Sequence, residues 1–230
     1  MKMSGNTILI TGGATGIGYA MAKYFLERDN EVLICGRREN RLAEAADGLA
    51  GVKTFKCDVT NSGERIALFE YVKNNFPNMN ILINNAGVQR NIDLTKGTAD
   101  FENGDNEIRV NFEAPVFLSA LFTPFLSGKE NAAIVNVSSG LAFRAEYATG
   151  MPIYCATKAA LHAFSLAQRK QLEPLGIKVI ELIPPAVVSE LNTDGGRWKR
   201  GEGTDMPSSE AYAASALARM EQGETEIRGI

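Results

Sequence analysis

Thr7-Ile8-Leu9-Ile10-Thr11-Gly12-Gly13-Ala14-Thr15-Gly16-Ile17-Gly18 is the stretch whose reading decides the fold. Its first five residues are apolar or β-branched, as a strand buried on both faces requires. The glycines that follow supply a tight turn, and the apolar spacing beyond it predicts a helix over 17–28. Glycines at a strand-to-helix junction let the backbone approach a pyrophosphate, whose charge the helix N-terminus stabilises. The spacing is Gly-x3-Gly-x-Gly rather than Gly-x-Gly-x-x-Gly, but the junction is the context that a dinucleotide site needs.

Outward from this turn, short apolar runs alternate with helical patterns. Strands are expected over 7–11, 31–35, 52–56, 80–83, 133–137 and 178–183. Helices are expected over 17–28, 41–49, 63–75, 105–126, 153–175 and 208–222. This alternation predicts an α/β fold, a doubly wound parallel sheet with helices on both faces, in a single domain over 1–230. With 45% hydrophobic and 22% charged residues, the chain can bury a sizeable core. A net charge of -3 argues against a nucleic-acid or polybasic membrane surface. No apolar stretch approaches the ~20 residues of a membrane span, and the N-terminus lacks a signal-peptide pattern. Cys35, Cys57 and Cys155 have no metal or redox spacing and read as free thiols of a reducing cytoplasm. The glycine- and charge-rich segment at about 190–207 reads as a mobile loop that closes over substrate, where Trp198, Lys199 and Arg200 are candidate contacts.

Tyr154 and Lys158, in Tyr154-Cys155-Ala156-Thr157-Lys158, share one face of a helix. A phenol ordinarily loses its proton only near pH ~10, and a neighbouring ammonium brings that down toward the working range. Together, Thr11–Gly18, Asn84-Asn85-Ala86-Gly87, Asn111, Ser139, Tyr154 and Lys158 resemble the short-chain dehydrogenase/reductase family, with the motifs in the family's order. The stretches 138–143 and 181–187 are most similar to the DltE-like branch.

The resemblance implies a Rossmann-type NAD(P)-binding domain and hydride transfer between a nicotinamide and a carbonyl or alcohol carbon of a small organic substrate. It assigns Tyr154 the proton transfer, and Lys158 the lowering of the tyrosine pKa and a bond to the nicotinamide ribose. Ser139 would hold the substrate oxygen, with Ser138 as the competing serine, since strand alternation lets only one face the site. Asn111 would support a water that links Lys158 to solvent. Gly12, Thr15, Gly16, Ile17 and Gly18 would cradle the pyrophosphate, Asp58 and Val59 the adenine, and Asn85 and Gly87 the ribose side. Asn84 is expected to be structural. Val187 and Ser189 would sit near the nicotinamide, although Pro185 replaces a glycine common in relatives.

The second strand ends Cys35-Gly36-Arg37-Arg38, without the acid that binds the ribose hydroxyls of NAD. Arg37 is therefore expected to read a 2′-phosphate, making NADP(H) the preferred cofactor and NAD(H) the alternative. The competing reading is that Arg37 and Arg38 are solvated residues at a helix start. His162, the only histidine, is expected to have a packing or surface role. The C-terminus lacks the fuller final strand of many relatives. A homodimer through the helices near Asp105 and Ile153 is expected, with a tetramer as the alternative. The rival to an enzyme is a dinucleotide-binding redox sensor or scaffold with little turnover.

Overall fold

The computed structural model describes residues 1–102, 104–189, 191 and 206–229. The chain runs β1 (Thr7–Thr11), α1 (Gly16–Leu26), β2 (Glu31–Gly36), α2 (Glu39–Gly48), β3 (Lys53–Lys56), α3 (Ser62–Asn75) and β4 (Met79–Asn84). It continues through α4 (Ala114–Leu126), β5 (Ala133–Val137), α5 (Pro152–Leu172), β6 (Lys178–Ile183), α6 (Ser209–Glu221) and β7 (Glu226–Arg228). The strands form one sheet in the order β3-β2-β1-β4-β5-β6-β7, and each neighbouring pair is parallel. The order reverses between β1 and β4, so a crevice opens beyond their carboxyl ends.

Alternation along each strand divides the core in two. Ile8 and Ile10 of β1 face one layer, with Met21 and Phe25 of α1 and Tyr212 and Leu217 of α6. Leu9 faces the other, with Leu68 of α3, Leu118 and Phe122 of α4, and Leu172 of α5. Every residue of β1, β4 and β5 is buried, which explains why their sequences are apolar nearly throughout. All three cysteines are buried and unlinked. Among the described residues, no helix is long and apolar enough to cross a membrane.

Three expectations need correction or completion. The helical run expected from residue 105 begins two residues later, at Glu107, and is not α-helical throughout. A π-helical turn spans Arg109–Glu113, closed by a bond from the Ala114 N–H to the Arg109 carbonyl, and α4 follows. Pro115 is the cause: it has no N–H to return to the Asn111 carbonyl four residues back. The sheet also gains a seventh strand, β7, whose three residues are too few for a periodic pattern to show. The segment at 190–207, with Trp198, Lys199 and Arg200, lies outside the described residues except at 191 and 206–207. Beyond it, α6 starts where expected because Ser208 caps it, its hydroxyl accepting the Ala211 N–H at 3.1 Å.

Candidate active site

The glycine turn forms the floor of a cleft of about 430 Å³ beyond the carboxyl ends of the strands. Gly12 has φ +63°, and a Cβ there would lie 2.8 Å from the Ala86 Cα. A Cβ on Gly18 would lie 2.4 Å from the Gly12 carbonyl oxygen, so only hydrogen allows α1 to approach the turn this closely. Thr15, Gly16 and Ile17 line the cleft at the N-terminus of α1, where the first-turn N–H groups lack intrahelical partners. That floor suits a pyrophosphate.

Asn85 anchors the turn from the opposite strand. Its amide donates to the Thr11 and Gly12 carbonyls at 2.9 and 3.1 Å, and the Thr11 hydroxyl accepts the Asn85 and Ala86 N–H groups, each at 3.0 Å. Asn85 thus borders the cleft while its side-chain donors hold the cradle. Asn84 is structural as expected, donating to Asn136 of the neighbouring strand and to the Ser119 hydroxyl of α4.

Gly36, Arg37, Arg38 and Arg41 line the cleft beyond β2, as do Asp58 and Val59. Asp58 Oδ1 accepts the Thr60 N–H and hydroxyl at 2.9 and 2.8 Å, which fixes its turn. Arg37 is ion-paired through both terminal nitrogens with Asp105. Nothing in the local sequence signals that pair.

At the other end stand Tyr154 and Lys158, both on α5, both buried and both bordering the cleft. The two serines separate as alternation demands. The Ser138 hydroxyl donates to Glu181 inside the sheet, although Ser138 also lines the cleft, and Ser139 is the serine whose side chain bears on the Tyr154 phenol. Burial pushes the phenol up to about 12, against a downward pull from Ser139. The expected lowering by Lys158 is not what this geometry gives. Lys158 Nζ donates to the Val137 carbonyl at 2.8 Å and stands 5.7 Å from the phenol ring centroid. Burial also brings the ammonium down to about 8, against the raising influence of Glu181.

Asn111, in the π turn, is fully buried. Its amide accepts the Val88 N–H at 2.9 Å and donates to the Val88 carbonyl and the Thr157 hydroxyl at 2.9 and 3.1 Å. A Cβ on Gly87 would lie 3.5 Å from Asn111 Oδ1 and 3.6 Å from Lys158 Nζ, so Gly87 brings these two together at the cleft. Ser189 lines the cleft, but the Val187 side chain does not take the expected place beside a nicotinamide. It is buried in the core layer of α1 and α6, which the chain reaches directly after β6.

Two features escape a sequence reading. Glu181 is completely buried in β6, held by Ser138 and by His162 Nδ1 at 2.8 Å. The signal for it is a lone acid in the run Val-Ile-Glu-Leu-Ile. His162 thus packs as expected, with its ring against Phe143 at 4.6 Å, but it also pairs with a buried acid.

Comparison with known proteins agrees with this architecture. Residues 6–200 match the family model described as short chain dehydrogenase. The chain is 51% identical over 230 residues to the uncharacterized oxidoreductase DltE of Bacillus subtilis, covering 99% of this chain and 89% of the relative. A short-chain dehydrogenase from Sphingobium yanoikuyae, solved in complex with NADPH, superposes with a TM-score of 0.83 at 29% identity, covering 97% of this chain and 87% of that one. A Burkholderia cenocepacia short chain dehydrogenase in complex with NADP superposes with a TM-score of 0.83 at 25% identity, over 99% of this chain and 89% of that one.

Proposed function

This chain belongs to the short chain dehydrogenase family, and on that premise we propose that it is an NADP(H)-dependent oxidoreductase interconverting a carbonyl and an alcohol on a small-to-medium organic molecule. The observation that carries the reading is the Tyr154 phenol, buried yet lining the glycine-floored cleft and drawn down by the Ser139 side chain, with Lys158 one helical turn further along α5 and lining the same cleft. The glycine cradle fits a dinucleotide, since a Cβ at Gly12 or Gly18 would collide with backbone. When bound there, the nicotinamide supplies or accepts the hydride.

The chain's own residues handle the oxygen and its proton. Gly12, Thr15, Gly16, Ile17 and Gly18 hold the pyrophosphate, Asp58 and Val59 the adenine, and Asn85, Gly87 and Ser189 the nicotinamide side. Arg37 takes the 2′-phosphate; the NADPH and NADP carried by the two structural relatives are consistent with that choice. Ser139 donates to the substrate oxygen and stabilises its developing charge. Tyr154, kept in its acid form at neutral pH by burial, gives its proton to that oxygen in reduction. Lys158 recharges the phenol, and the Asn111 carbonyl, which receives no N–H from Pro115, holds the water that returns the proton. The exposed Phe117 of α4 and the exposed Ala156, Ala163 and Leu166 of α5 form the face through which two copies pair as a homodimer.

Tyr154→Phe tests the reading. The variant should lose at least ~100-fold in turnover of a carbonyl panel while retaining the NADPH-induced rise in melting temperature. Unchanged turnover would remove Tyr154 from the chemistry. No melting shift with NADPH or NADH, in folded wild-type protein, would overturn the oxidoreductase reading altogether.

A further inference from the structure

We propose that Asp105 is a latch on the adenosine end of the cleft, occupying on Arg37 the place that the 2′-phosphate of the cofactor takes. This rests on the NADP(H) reading and adds a second specificity-determining residue to that site. Arg37 meets the Asp105 carboxylate with both Nη1 and Nη2, the latter at 2.6 Å. A guanidinium presents the same two-pronged edge to a phosphate. The two residues are 68 positions apart and approach from opposite sides: Arg37 follows β2, and Asp105 precedes the π turn. Both line the cleft, so the pair closes it at the adenosine end.

A phosphate can take that edge of Arg37 only by displacing the carboxylate. Were Asp105 to stay, it would face a group carrying about -1.5 to -2 charges. The structure offers the displaced acid another cation. Arg90 Nη1 donates to the Asp105 main-chain carbonyl at 3.2 Å. Arg37 holds the Asp105 carboxyl below the usual carboxylate range, and the charge of Arg90 adds to that pull. Asp105 therefore stands between two guanidinium groups and can exchange one for the other. A dinucleotide without the phosphate leaves the pair intact. Asp105 thus weakens NADPH binding selectively and narrows the margin over NADH.

The test is to measure Kd for NADPH and NADH on the full chain and on Asp105→Asn, Asp105→Ala, Arg37→Ser and the Arg37→Ser/Asp105→Asn double variant. The pair is partly exposed, at 48% and 32% of its side chains, so a modest effect is expected. Either Asp105 variant should bind NADPH about three- to tenfold more tightly, with NADH changed less than twofold. In the Arg37→Ser background, Asp105→Asn should have no further effect on NADPH. NADPH affinity that is unchanged or weaker in both Asp105 variants, while Arg37→Ser still loses NADPH selectively, overturns the latch and leaves the NADP(H) reading standing. A wild type that prefers NADH, with Arg37→Ser indifferent to the phosphate, overturns that reading and the latch with it.

Discussion

Ser138 and Ser139, adjacent in the chain, have separate partners: the Ser138 hydroxyl donates to the buried Glu181 carboxylate at 2.5 Å, while the Ser139 hydroxyl accepts the Leu141 N–H at 3.2 Å and its side chain draws the Tyr154 phenol down. Their substitutions should therefore fail in different ways. Ser139→Ala removes a donor at the position where oxyanion charge develops and should lower kcat by about 10²–10³-fold with an unchanged melting temperature. Ser138→Ala leaves a completely buried carboxylate short of a donor and should lose about 1–3 kcal/mol of stability with kcat little altered in folded protein. Steady-state kinetics and thermal melts on the two variants check this. The opposite pattern would exchange the roles of the serines.

The buried Lys158 makes stability depend on pH in an unusual window. Its pKa lies at about 8 in the fold and at 10.5 in the open chain. Between those values the unfolded chain binds the extra proton, so stability rises with pH there and is lost as pH falls through about 8. The full shift corresponds to about 3 kcal/mol. Denaturant unfolding of wild type and Lys158→Met from pH 7 to 10.5 should show the difference moving in favour of wild type as pH rises. A constant difference would mean that Lys158 keeps its ordinary pKa in the folded protein. Above pH 10 the sign reverses for Tyr154, whose raised pKa of about 12 makes the fold lose stability as the open chain's phenols ionise.

Gly18→Ala should damage the cradle without removing any polar group. The added carbon would stand 2.4 Å from the Gly12 carbonyl oxygen and 2.5 Å from Asn85 Nδ2, so the turn and α1 must separate. Overpacking of this kind costs about 1–3 kcal/mol. The variant should melt lower and show a reduced NADPH-induced melting shift. A wild-type shift would indicate that the turn relaxes without losing its nucleotide geometry.

The parts of this protein that were legible in sequence are those encoded by short-range rules. The apolar β1 and the glycines after it predict a strand, turn and helix because each residue's conformational preference acts locally. Tyr154 and Lys158 fall together because one helical turn puts them on the same face. Alternation shows that Ser138 and Ser139 must part, while the partner of each depends on β6 and α5 arriving from elsewhere. Long-range placements left no such trace. Asp105 reaches Arg37 only after the sheet has folded between them. The pKa of Tyr154 follows from how completely it is buried, and burial outweighs the lysine that the sequence places beside it. The π turn at Asn111 was written in Pro115 but hidden beneath an otherwise continuous helical pattern.

The interior position of β1 also dictates the order in which the chain can be assembled. Its first partner, β2, follows after one helix, but its second, β4, lies far downstream: Thr11 bonds the Ile83 carbonyl across 72 positions. At ribosomal speeds of about 5–20 residues per second, that gap is about 4–14 s of synthesis. Throughout it, one edge of this fully buried strand is without its native neighbour and open to strands of other nascent chains. That interval is a window for misassembly during synthesis, which a higher soluble fraction on slower, cooler expression would reveal.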